Sequence, residues 1–129
     1  HHYATSRTRV LQQLNSGFDV VLPIDWQGYH NVKAKMPEVI GIFIMPPSLS
    51  ILKARLQSRA QDYEAIIAAR MAQAKTEILH CSAYHYLIIN DDFNVAFNDL
   101  QTIVRAERLR LTRQQSKHAL FLKSLQSDA

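Results

Sequence analysis

Apolar residues recur at helical spacing in some stretches of the chain and in unbroken runs in others, and the two patterns divide it into elements. Val10, Leu11 and Leu14 give residues 5–16 one apolar helical face, and Gly17, free to adopt the left-handed conformation, marks its end. The run "FDVVLPI" predicts a strand over 18–24, and a short helix follows over 27–35, stopped ahead of Pro37. "VIGIFIM", 39–45, is apolar without alternation, as in a strand covered on both faces, and Pro46 and Pro47 break it.

Ser48 is a helix N-cap for a helix through Leu49, Leu52 and Leu56 as far as Arg59, and Asp62 caps a second. In that second helix Ile67, Met71, Ala74 and Ile78 form the apolar stripe, and it ends near His80. "YHYLIIN", 84–90, predicts a third buried strand. After Asp91 and Asp92 one helix is expected from about Val95 through the end, with Ala96, Leu100, Ile103 and Val104 facing the core.

The resulting order, αβαβααβα, predicts an α/β fold with a parallel sheet of about three strands, because each strand-to-strand connection is long enough for a helical crossover. In open parallel sheets ligands bind beyond the carboxyl ends of the strands. Those ends read "PIDWQG", "MPPS" and "NDD". Two of the three carry carboxylates, acceptors for a base or a place for Mg²⁺.

With 129 residues and 47% hydrophobic content the chain fits one globular domain. Neither an apolar run long enough to span a membrane nor a signal-peptide pattern occurs, so a cytoplasmic protein without a membrane partner is expected. The lone Cys81 forms no internal disulfide. A net charge of +4 favours phosphate-bearing partners, and arginines gathered at 55–70 and 105–113 point to local anion sites rather than a nucleic-acid coat. No recognisable nucleic-acid module is present.

Taken singly, the polar residues have plain readings. Asp25, Asp91 and Asp92 follow strands and suit helix caps. Arg55, Arg59 and Arg70 suit a solvated helix surface, and Trp26 suits packing. His80, Cys81 and His85 fit no standard zinc spacing.

In combination they say more. "TSR" after a tyrosine, "IDWQG", "IFIMPPS", "RMAQAKTEI", "YLIINDDF" and "IVRAERLRLTRQ", in this order and spacing, resemble guanylate kinase, the P-loop nucleoside monophosphate kinase family. The resemblance covers nearly the whole chain but only the C-terminal two-thirds of the family pattern: the opening strand with its "GxSGxGKS/T" loop and much of the GMP-binding region have no counterpart in it. It implies 1–17 as the end of the GMP-binding region, 18–54 as core, 55–80 as lid, and 81–129 as core and C-terminal helix. It implies transfer of the γ-phosphoryl group of ATP to GMP, with Mg²⁺ accompanying ATP.

By the same resemblance Tyr3 contacts the GMP phosphate, Thr5 and Asp25 the guanine, and Asn90 the adenine side, while Arg55, Arg59 and Arg70 are lid arginines that close over the phosphates. Three positions depart from the family pattern: Ala4 and Ala60 stand where glycines are usual, and Pro23 replaces the first aspartate of "LDID". These departures are what a non-catalytic relative would show, so the alternative is a guanylate-kinase-like module that binds phosphorylated peptides. The chain alone is expected to be inactive, and an exposed sheet edge invites homo-oligomers or strand exchange.

Overall fold

The computed structural model describes residues 7–59 and 63–128. Tyr3, Ala4, Thr5, Ala60 and Asp62 therefore lie outside the described residues.

Helix α1, Arg7–Asn15, buries Val10. It closes at Gly17, whose φ of 87° lets its N–H reach the Leu14 carbonyl while the Phe18 N–H reaches that of Gln13. Both bonds belong to the Schellman closure, which needs a residue without Cβ. Helix α2, Trp26–Lys35, starts at Asp25, whose carboxylate accepts from the Gly28 N–H at 2.8 Å. Strand β1, Ile42–Met45, leads through the two prolines into α3, Leu49–Ser58, capped by Ser48 through the Ile51 N–H. Helix α4, Glu64–Leu79, packs on α3 and is followed by a short 3-10 turn, Cys81–Ala83. Strand β2, Tyr86–Ile89, completes the sheet, and α5, Phe93–Arg108, begins at Asp92, whose carboxylate accepts from the Val95 N–H.

The strands pair in parallel with Ile42 opposite Tyr86 and Met45 opposite Ile89. The Gly41 carbonyl accepts from the N–H groups of His85 and Tyr86 before the ladder, and the Met45 carbonyl from that of Asn90 after it. Each face of the sheet is covered on one strand only. Phe43 is buried under Tyr84, whose ring meets it edge-on, while Leu87 and Ile89 on that face are half exposed. On the other face α5 packs over β2 and buries Ile88, leaving Ile44 half exposed.

The α/β class and the parallel sheet are as the sequence predicts, but two expectations are corrected. Residues 18–24 do not form a third strand. They keep a strand's alternation, with Val20, Leu22 and Ile24 partly covered and Asp19, Val21 and Pro23 outward, yet 19–24 make no backbone ladder bond among the described residues. A strand is defined by its neighbour; β1 and β2 pair with each other, and Pro23 has no N–H to offer.

The C-terminal region, expected as a single helix, is three. It bends at Leu109 and Arg110 into α6, Leu111–Lys117, and again at His118 into α7, Ala119–Asp128. No described helix is long and apolar enough to cross a membrane.

Candidate functional site

At the carboxyl end of the sheet the chain leaves β1 for the capped start of α3 and leaves β2 for the capped start of α5. Arg55, in the last turn of α3, bridges the two exits: its guanidinium donates to the Asn90 carbonyl at 2.7 Å and to the Asp91 carbonyl at 3.1 Å. Both acceptors are neutral, so the contact fixes the cation without cancelling its charge. Two of the predicted site residues, Arg55 and Asn90, are thereby brought together. Arg59 is the C-cap of the same helix and exposed; Arg70 is exposed on α4.

Asp25 is placed by a different set of contacts. Beside it, the Trp26 ring stacks on His80 with centroids 4.1 Å apart, and the Trp26 backbone N–H points to the Glu77 carboxylate at 3.4 Å. One turn on, buried Tyr29 stacks on Tyr84 and donates its hydroxyl to the Ala83 carbonyl at 2.9 Å. Its ring fills the space a side chain at Gly41 would need: a Cβ there would stand 2.5 Å from the ring. The partners of this first turn, Glu77, His80, Ala83 and Tyr84, all precede β2, whereas those of Arg55 follow it. Among the described residues Asp25 makes no hydrogen bond to Arg55 or Asn90. Burial, with the nearby Glu77 charge adding to it, raises the Tyr84 phenol above its ordinary range.

A third cluster ties the 18–24 segment to the C-terminal helices. Asp19 accepts from Arg108 at 2.6 Å and from Arg113 at 2.8 Å, one arginine on each carboxylate oxygen. Chiefly the Arg108 hydrogen bond, with Arg113 assisting and partial burial opposing, holds the Asp19 carboxyl below its usual range. Next to it, Glu107, nearly buried, accepts from the Tyr86 hydroxyl and pairs with Arg110 at 3.2 Å. The Glu107 hydrogen bond raises the Tyr86 phenol.

Asp19, Tyr29, Tyr86 and Glu107 carry no signal in the sequence that marks them out. Only Gly41 within a continuous apolar run signals a close approach. Among the described residues no three His, Cys, Asp or Glu side chains stand together as a metal-binding group. Mg²⁺ that arrives with ATP needs only one or two carboxylates beside the phosphates and its waters.

Comparison with known proteins supplies the context. The guanylate kinase family model matches residues 1–107. Guanylate kinase of Yersinia pestis (strain Antiqua) is 52% identical over 128 residues, covering 99% of this chain and 62% of that protein. Guanylate kinase of Escherichia coli K12 is 50% identical with the same coverage. Among solved structures, guanylate kinase from Anaplasma phagocytophilum superposes with a TM-score of 0.68 at 33% identity, over 85% of this chain and 56% of that one. The chain spans about 62% of the length of the curated relatives it matches.

Proposed function

Because this chain belongs to the guanylate kinase family, we propose that it supplies the lid and one nucleotide-facing sheet edge of an enzyme that transfers the γ-phosphoryl group of ATP to GMP, giving ADP and GDP. The observation that carries this reading is the bridge from Arg55 to the carbonyls of Asn90 and Asp91, which fixes a cation at the carboxyl end of a parallel sheet.

Phosphoryl transfer asks a protein mainly for positioning and for positive charge where the transferring group gathers negative charge. Arg55, Arg59 and Arg70 are the cations for that task. Asp25 would accept from the guanine N1–H and amino group; a carboxylate has about four acceptor positions, and the cap bond to Gly28 uses one. A site built this way disfavours adenine, which would leave its polar atoms unpaired. Tyr3 would hold the GMP phosphate, Thr5 the guanine, and Asn90 the adenine side. ATP would be used as its Mg²⁺ complex.

The 129 residues contain no GxxxxGK[ST] sequence to cradle the β- and γ-phosphates. The polypeptide by itself should therefore show no turnover in a coupled assay of ADP release, and GMP-dependent release would overturn that. The open edges of the two-stranded sheet should also give concentration-dependent self-association; a monomer at every concentration in light scattering counts against it.

Binding is tested by NMR titration. GMP should shift the Gly28 amide that Asp25 caps, and ATP the Asn90 amide. Pro23, standing where the family pattern has aspartate, favours the second reading, a phosphopeptide-binding module. If a phosphopeptide moves the Arg55 and Asn90 signals and GMP moves none, that reading replaces the first.

A further inference from the structure

We propose that Asp19 is a positioning residue, gripped by Arg108 and Arg113 so that the unpaired 18–24 segment holds Asp25 in one place. The inference rests on the guanine-side assignment of Asp25 for its functional meaning, though not for its geometry. Residues 19–24 have no ladder bonds among the described residues, and the outward side chains of Val21 and Pro23 are exposed. A segment of this kind is ordinarily mobile. The side-chain hydrogen bonds that fix its near end are those at Asp19, where each oxygen takes a different arginine, one from the last turn of α5 and one from α6. At its far end the segment passes directly into the cap of α2, formed by Asp25.

The grip is built to locate rather than to stabilise. Its members are partly exposed, with the Arg108 and Arg113 side chains 60% and 46% accessible, and exposed ion pairs contribute little to global stability. Two arginines meeting one carboxylate from separate helices nonetheless define a direction, because neither pair can swing without breaking the other. Both arginines lie beyond residue 107, where the family match ends.

¹⁵N relaxation of the 129-residue chain tests this. In the wild type the amides of residues 20–22 and 24 should have order parameters of about 0.85, as rigid backbone does, despite lacking ladder bonds. Asp19→Asn should lower them below about 0.6 while β1 and β2 are unchanged. Arg113→Gln should give a smaller fall, and Asp19→Glu, which keeps the charge, should restore most of the order. If Asp19→Asn does not fold, Arg108→Gln and Arg113→Gln carry the test singly. Unchanged order at 20–24, or equal loosening of β1 and β2, overturns the proposal. A failed GMP titration of the wild type would instead remove the guanine assignment and leave this result standing.

Discussion

Asn90 and Asp25 occupy matching places in the sequence. Each ends an apolar run, each is followed within three residues by a helix, and an aspartate caps each helix: Asp92 for α5 and Asp25 itself for α2. Their support differs. Asn90 leaves a hydrogen-bonded strand, donates its N–H to the Met45 carbonyl, and has Arg55 on its own carbonyl. Asp25 leaves a segment with no ladder, held by ion pairs at one end and by the packing of Trp26 and Tyr29 at the other. Backbone pairing fixes many atoms at once and resists salt; a side-chain grip fixes one point and responds to salt and pH. The same local pattern can therefore end in a stiff site or an adjustable one.

The sharpest way to break the contrast is at Gly41, where α2 meets the start of the sheet. Gly41→Ala pushes a methyl into the Tyr29 ring, displacing it from the Ala83 carbonyl and from Tyr84, and should cost about 2–3 kcal/mol in urea denaturation. A cost below about 0.5 kcal/mol would show that α2 and β1 are loosely joined. Tyr86→Phe should come next, lowering the midpoint by orphaning one Glu107 oxygen in a nearly buried place. The pH response has a definite sign: the Tyr86 pKa is raised in the folded state, so its contribution is complete below the unfolded value of about 10 and fades as pH rises through the folded one.

Arg55→Lys should have a smaller effect, about 1 kcal/mol, because an ammonium on a flexible stem cannot span both carbonyls as the planar fork does. The ATP-induced shift at Asn90 should weaken with it.

Asp19→Asn closes the series, with less than about 1 kcal/mol in global stability. Asp19 has a depressed folded pKa, so its contribution is present above the unfolded value of about 3.9 and disappears as pH falls through the lower folded one. High salt should mimic the substitution at 18–24 and leave the sheet unaltered; an equal response in both regions erases the distinction.

What the sequence reveals follows from how local each signal is. Ser48, Asp25 and Asp92 cap helices through an N–H three residues on, and Gly17 closes α1 within one turn, so all four are legible. The family is legible too, because six motifs in order leave little room for coincidence. Whether 18–24 is a strand depends on a neighbour, which no window of the chain contains.

The bend at Leu109 and Arg110 has no proline or glycine to announce it. Arg108 and Arg113 are five residues apart and would diverge by roughly 140° around a straight helix, so both reach Asp19 only because the helix turns between them. The meeting of Arg55 with Asn90, thirty-five positions apart, is likewise beyond any local pattern.

The stack of Trp26 on His80 has a practical consequence. As the sole indole of the chain it stands one residue after Asp25, against a ring from the C-cap of α4. The protein thus carries an optical gauge at the joint between α2 and α4: intrinsic emission reports, without any label, whether that joint is closed.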